Sequence, residues 1–582
     1  MSTQRTLSSP TEQLDIQIRA ALAKFTGSLS PTAATLAVLD WLAHLAVSPG
    51  RKMALAGLAV QHARMLADYA YQCVHAQAGH PGPTACVEPP AQDRRFAAPQ
   101  WQQWPFNVLH QAFLLNQQWW EEATRGVIGV ERHHEDLVAF GVRQWLDMFS
   151  PGNLPWTNPQ VVERTVQEGG ANLWRGFLHW LDDVQRMATQ APPAGAEAYR
   201  VGHEVAVTPG LVVLRTPLME LIQYKPVTEL VHPEPVLIVP AWIMKYYILD
   251  LSPHNSLVRY LVEHGHTVFC ISWKNPGEAE RDKGMDDYLE EGFFAALDAV
   301  RDVCPSQHVH AVGYCLGGTL LAIAAAAMAR DGDERLATTT YFAAQTDFSE
   351  PGELGLFIDE SQLSLLEASM QQAGYLKATQ MAGAFNMLRS YDLLWSRMVN
   401  EYLLGERRGM NDLMAWNADA TRMPAKMHSE YLRRLFLNDD LSEGRYPVRG
   451  RPVSLGGLRL PTFMVGTVTD HVAPWRSVYK LHYLSPAEIT FVLTTGGHNA
   501  GVVNPPDPES RRSYQMLTRE ADGPYVPPDE WLAAAPSHPG SWWPAWQQWL
   551  AAHSGAPVHP PRMGSRRHPP LGPAPGTYVL EK

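Results

Sequence analysis

The apolar positions of this chain follow two different periods. Up to about residue 80 they recur every three or four residues, as at Leu36, Leu39, Leu42 and Leu45, which predicts helices. A stretch rich in Pro and Gly, 80–90, reads as a linker. Helical spacing returns over 100–190. It is crowded there with Trp101, Trp104, Trp119, Trp120, Trp145, Trp174 and Trp180, a stripe expected to pack helix on helix. Near residue 200 the period changes. Residues 205–224 alternate around Thr208-Pro209-Gly210 and predict a hairpin. Short apolar runs follow at 236–239, 267–272, 308–312, 338–342, 462–466 and 489–494, separated by helical stretches. Strands alternating with helices predict a mostly parallel sheet. Residues 348–440 are helical in pattern, with many aromatics and Met. From about 555 the chain turns Pro-rich and reads as an extended tail rather than a folded element. The expected plan is a helical N-terminal domain over 1–200, an α/β domain over 201–555 with a helical insertion at about 348–440, and a tail over 556–582.

Composition narrows the partners. The 582 residues carry 47 basic and 59 acidic side chains, a formal charge of −12. That argues against a nucleic-acid partner, which calls for a basic surface. Charged residues are only 18% and Trp numbers 19, which suits a large core and equally suits contact with an oily material. The five cysteines, Cys73, Cys86, Cys270, Cys304 and Cys315, show neither a disulfide framework nor metal-ligand spacing, as expected of a reducing compartment. Residues 1–14 lack the basic-then-apolar order of a secretory signal, and the most apolar run, 320–329, is too short to span a bilayer. A cytoplasmic protein is expected, with any lipid-like association peripheral and no transmembrane segment.

The candidate chemistry centres on Gly313-Tyr314-Cys315-Leu316-Gly317-Gly318. This G-x-C-x-G-G run lies between a strand and an Ala-rich helix. It is the nucleophile-elbow pattern of the α/β-hydrolases, with Cys where Ser usually stands. A glycine-rich turn there lifts the Cys315 sulfur to the C-terminal edge of the sheet, with a helix N-terminus beneath it that favours a thiolate. A Cys nucleophile needs a base and a group to orient that base. In the hydrolase order, an acid and then a histidine follow the nucleophile, each after a later strand. Asp470 follows the 462–466 strand, and His498 follows Phe491-Val492-Leu493, taken as the last strand. An oxyanion hole needs two backbone N–H groups. Leu316 and Ile243, the latter in the loop after 236–239, are the candidates.

With those residues in place, the chain resembles the poly(3-hydroxyalkanoate) synthases, most of all the single-subunit class I type. The elbow resembles that family's box, and so do Tyr246-Tyr247-Ile248-Leu249-Asp250-Leu251, Ile271-Ser272-Trp273-Lys274-Asn275-Pro276 and Asp470-His471-Val472-Ala473-Pro474-Trp475. The similarity runs from about residue 90 to the closing Ala574-Pro575-Gly576-Thr577-Tyr578-Val579. It implies an α/β-hydrolase fold with an inserted helical lid and a helical N-terminal domain. It further implies Cys315 as nucleophile with Asp470 and His498 as its partners. Trp416, Arg389 and Asp250 become candidates for substrate contact or assembly. Met244, Gly497, Ser390 and Tyr391 depart from the family pattern near the lid or site entrance.

The resemblance implies an acyltransferase that polymerises (R)-3-hydroxyacyl-coenzyme A with release of coenzyme A. It implies a cytoplasmic homodimer at the surface of polyester granules. No metal or prosthetic group is implied, because coenzyme A enters as the leaving group of the substrate. Two other readings stand beside it. One is a thioesterase or polyester depolymerase, because fold and triad do not choose between water and alcohol as acceptor. The other is a non-catalytic, granule-associated homologue.

Overall fold

The computed structural model describes residues 10–75, 84–89, 93–305, 307–388, 390 and 394–582. The chain divides into two compact units. One comprises Leu29–Pro193 and Gly383–Gly409, and the other is the rest of the described chain.

The first unit is helical. Its helices are Pro31–Ala46, Pro49–His75, Phe106–Thr124, Arg132–Met148, Pro159–Gln167 and Ala171–Thr189. Ser30 and Asn158 start two of them by accepting N–H groups of the first turn. Phe96, Trp101, Phe113, Leu114 and Leu146 form a core cluster. Beside it the Arg95 guanidinium lies between Asp93 at 2.7 Å and Asp147 at 2.8 Å. The tryptophans depart from expectation. Trp101 is fully buried, but Trp104, Trp145, Trp174 and Trp180 are exposed. On Ala171–Thr189 the residues Trp174, Phe177, Trp180, Leu181, Val184 and Met187 are all exposed. Helical spacing places them on one side, and the shared side is the outward one. The opposite side holds residues 383–409. Asn172 donates to the Leu403 carbonyl at 2.8 Å, and Arg407 pairs with Asp182 and Asp183.

The second unit is built on a mixed sheet. Its strands in chain order are β1 (Gly210–Arg215), β2 (Met219–Tyr224), β3 (Val236–Val239), β4 (Val268–Trp273), β5 (Val309–Tyr314) and β6 (Leu336–Phe342). Then come β7 (Tyr375–Leu376), β8 (Met423–Pro424), β9 (Pro447–Val448), β10 (Arg451–Pro452), β11 (Thr462–Thr467) and β12 (Ile489–Thr494). The last are β13 (Ser513–Arg519), β14 (Ser537–Pro539) and β15 (Gly572–Pro573). Eleven of them make one sheet in the order β14-β13-β12-β11-β6-β5-β3-β4-β2-β1-β15. β4, β3, β5, β6, β11 and β12 pair in parallel, and every residue of β3, β4, β5, β11 and β12 is buried. That explains their unbroken apolar runs, since helices cover both faces of a parallel sheet.

Four expectations are corrected. The first hairpin turns at 216–218, where Thr216 accepts from the Leu218 and Met219 N–H groups. Thr208-Pro209-Gly210 only leads into β1. The run at 489–494 is not the last strand, because β13 and β14 extend the sheet antiparallel beyond it. The Pro-rich segment is a folded part of the unit. Leu571 and Ala574 donate to β1 carbonyls, and β15 forms the sheet edge, where a proline's missing N–H costs nothing. Buried Glu220 then accepts the Thr577 and Tyr578 N–H groups at 2.8 and 3.0 Å. The region expected as one insertion, 348–440, is shared between units, with 383–409 belonging to the helical one.

Candidate active site

β5 ends at Tyr314 and the next helix, Leu316–Asp331, begins two residues later, so Cys315 alone turns the chain. It does so at φ 52° and ψ −125°, a backbone conformation that costs a non-glycine residue and persists only where the surroundings impose it. The neighbouring glycines let the backbones close in. A Cβ on Gly313 would come within 2.3 Å of the Gly318 Cα, and one on Gly317 within 2.1 Å of the Val239 carbonyl oxygen. The motif therefore spells out a close crossing of β5, the following helix and the end of β3. Cys315 itself is buried.

Asp470 and His498 arrive from the loops after β11 and β12. His498 Nδ1 lies 2.8 Å from Asp470 Oδ2, and the ring is close enough to Cys315 for the sulfur to act on it. Asp470 is fixed from several sides. Its Oδ1 accepts the Val472 and Ala473 N–H groups, both at 2.8 Å, and its Oδ2 accepts the Thr467 hydroxyl at 3.1 Å. Burial alone raises a carboxyl's pKa, yet His498 and those N–H donors hold Asp470 below its ordinary value. Burial alone lowers an imidazole's pKa, yet the Asp470 carboxylate and then the Cys315 sulfur hold His498 well above its ordinary value. A carboxylate facing Nδ1 keeps the proton there and turns Nε2 to the sulfur. The line Cys315–His498–Asp470 can therefore accept a proton from the thiol and store it as an imidazolium.

Several supporting residues escaped sequence reading. Tyr314 donates its hydroxyl to Asn499 Oδ1 at 2.6 Å, tying the elbow to the His498 loop. Its ring centroid lies 5.7 Å from that of His498. Tyr431, from the region read as the lid, is buried and close enough to Cys315 for the sulfur's charge to act on it. Burial first, and then that charge, raise its phenol pKa. Tyr314 and Thr467 adjoin the motifs and could have been suspected. Nothing local marks Tyr431.

Of the two oxyanion candidates, one lies on the helix after Cys315 and the other on the loop after β3. Leu316 is the first residue of the helix after Cys315, where N–H groups have no partner within the helix. Ile243 lies in the loop leaving β3. Side chains from two separate segments donate to that loop's carbonyls: Trp273 to Pro240 at 2.7 Å, and Thr421 to Trp242 at 2.8 Å with Trp416 to Lys245 at 2.7 Å. Trp416 is thus a buried brace of this loop.

Asp250 is buried, accepts from Ser256 at 2.7 Å and from Thr208, and has its pKa raised by burial. None of these partners belongs to the Cys315 group. Arg389 and Tyr391 lie outside the described residues. Met244 bridges to Ala420, and a Cβ on Gly497 would touch only Thr469 at an ordinary 3.7 Å. Among the described residues no three His, Cys, Asp or Glu side chains gather as a metal site requires.

A strained elbow after a central parallel strand, with an acid and a histidine delivered by the ends of β11 and β12, defines an α/β-hydrolase-fold protein. The family model described as alpha/beta hydrolase fold matches residues 234–505. Two further models carry a more specific meaning. "Poly-beta-hydroxybutyrate polymerase (PhaC) N-terminus" matches 92–261, and "Poly-beta-hydroxybutyrate polymerase N terminal" matches 9–51. A poly(3-hydroxyalkanoate) polymerase of Methylorubrum extorquens is 42% identical over 85% of this chain and 82% of its own. The poly(3-hydroxyalkanoate) polymerase subunit PhaC of Cupriavidus necator is 36% identical over 85% of this chain and 84% of its own. The chain belongs to the poly(3-hydroxyalkanoate) polymerases, a family of enzymes.

Proposed function

We propose that this enzyme polymerises (R)-3-hydroxyacyl-coenzyme A into poly(3-hydroxyalkanoate) through a thioester on Cys315. The observation that carries the reading is the gathering of Cys315, His498 and Asp470 at the elbow, with His498 Nδ1 2.8 Å from Asp470, in a chain of this family. In the first step the Cys315 sulfur attacks the thioester carbonyl. A carbon–sulfur bond to the enzyme forms, the one to coenzyme A breaks, and His498 hands the thiol's proton to the departing coenzyme A thiolate. One thioester replaces another, so the acyl group stays activated. In the second step a 3-hydroxyl attacks the acyl-cysteine, His498 removes its proton, and an ester forms as the Cys315 sulfur leaves. Leu316 and Ile243 N–H groups stabilise the oxyanion in both steps. No metal or prosthetic group takes part.

Water would divert the acyl group to free hydroxy acid. Cys315 is buried and the His498 side chain is only 10% exposed, which supports transfer to an alcohol over hydrolysis. The exposed apolar side of the helix Ala171–Thr189 supports association with the surface of a polyester granule. Among the described residues no helix is long and apolar enough to cross a membrane. The family resemblance supports a homodimer in the cytoplasm.

Purified protein given (R)-3-hydroxybutyryl-coenzyme A should release thiol while turbidity rises. Thiol release with only soluble hydroxy acid would replace the polymerase by a hydrolase. Silence toward short and longer acyl chains alike would remove the enzymatic reading.

A further inference from the structure

The loop after β3 passes directly against the elbow, since a Cβ on Gly317 would meet the Val239 oxygen at 2.1 Å and the Pro240 oxygen at 2.6 Å. What the rest of the unit holds in this loop is its carbonyls. A peptide unit is planar and trans, so its C=O and N–H point to opposite sides. Holding the Trp242 carbonyl therefore sets the direction of the Ile243 N–H. The group that holds it is the hydroxyl of Thr421, a buried residue 179 positions along the chain. Among the described residues no backbone acceptor takes the Ile243 N–H.

Thr421 is itself presented by a braced segment. Ala420 bridges to Met244 across the same loop. Asp419 accepts the Tyr247 hydroxyl at 3.0 Å and the Lys582 ammonium at 3.2 Å. The Arg422 N–H donates to Asn275 Oδ1 at 3.0 Å, and its guanidinium to the Lys582 carbonyl at 2.9 Å. The end of the chain, the loop after β4 and the loop after β3 all converge on 419–422.

We propose that Thr421 is a positioning residue for acyl transfer: by holding the Trp242 carbonyl it turns the Ile243 N–H toward the oxyanion formed when Cys315 attacks. The proposal rests on the reading of Cys315 as nucleophile and of Ile243 as an oxyanion donor. It makes the donor conditional on the seating of 419–422. When that segment moves away, the Trp242–Ile243 peptide loses its only side-chain anchor among the described residues and is free to turn.

The test compares Thr421→Val, which keeps the shape and removes the hydroxyl, with Thr421→Ser, which restores it. Coenzyme A release gives kcat and KM, and iodoacetamide inactivation gives the reactivity of the Cys315 sulfur. Loss of a whole oxyanion donor costs about 10²–10³ in kcat, so a misdirected one should cost Thr421→Val about 10- to 100-fold. KM and the alkylation rate should stay within about twofold, because neither depends on the oxyanion. Thr421→Ser should return kcat to within about threefold of the parent. A Thr421→Val enzyme with kcat within about threefold of the parent overturns the proposal, as does a Ser variant impaired as much as the Val variant. If Thr421→Val does not fold, Thr421→Ala replaces it, with at least a tenfold kcat gap from Ser expected and equal values overturning the proposal. Coenzyme A release by Cys315→Ala at the parent rate would instead strike the underlying reading of the site.

Discussion

Histidines largely withdrawn from water stand at both edges of the parallel strands, and their surroundings drive them in opposite directions. At the C-terminal ends, His498, its side chain 10% exposed, sits beside Asp470 and Cys315 and is held well above an ordinary imidazole. At the N-terminal ends, His266 precedes β4 and stacks on His232 at 4.5 Å, while His310 opens β5. Among the described residues no carboxylate bonds to either ring. Burial, helped by neighbouring histidines, pushes His266 and His310 down to about 3. Burial alone makes a neutral packing residue of histidine. The paired carboxylate and thiol turn the same side chain into a proton acceptor. The difference between the two ends is thus chiefly one of partners, since both are largely withdrawn from water.

The sharpest way to break the comparison is to remove the sulfur. Cys315→Ala should lower coenzyme A release by about 10⁴-fold or more while leaving the unfolding midpoint close to the parent's, measured by thiol release and thermal melts. Next comes the carboxylate. Asp470→Asn offers Nδ1 an amide donor, which puts the ring proton on Nε2, where it cannot take the thiol's proton. A loss of about 10³- to 10⁴-fold in kcat is expected, with substrate binding little changed. The opposite end should answer to acid rather than to substrate. His266 and His310 bind protons more readily unfolded, so their contribution is intact above the ordinary histidine pKa and is lost as pH falls from about 6.5 toward 3. Each contributes a slope of up to about 1.4 kcal/mol per pH unit in that window. Urea melts from pH 7.5 to 5 should show the fall, and His310→Gln should flatten it. The smallest effect belongs to Tyr314→Phe, which removes the hydroxyl on Asn499. About a fivefold drop in kcat is expected, with Cys315 alkylation unchanged.

The placement of Cys315, Asp470 and His498 was more legible in the sequence than the residues that support them. The elbow could be read because close backbone crossing demands glycine at fixed offsets from Cys315. Asp470 and His498 could be read because each sits just past a strong apolar run that becomes a buried strand. Their common cause is local, and local causes leave periodicity and spacing behind. The brace of Trp242 by Thr421 leaves none, because it joins residues far apart in sequence through one hydroxyl. The Pro-rich end misled for a related reason. Prolines mark an extended chain, and only the distant β1 carbonyls and buried Glu220 decide that this one is docked. In the helical unit the Trp spacing predicted helices correctly, but periodicity cannot tell an inward face from an outward one. Trp101 went in, and Trp174 and Trp180 went out.

The central claim is that Cys315 carries the acyl group. The direct test is to mix enzyme with (R)-3-hydroxybutyryl-coenzyme A, quench in acid within a turnover and weigh the peptides. The account predicts a hydroxyacyl adduct on the peptide containing Cys315, removed by neutral hydroxylamine as a thioester should be and missing from Cys315→Ala. Coenzyme A release without that adduct, or with the adduct on another residue, would contradict it.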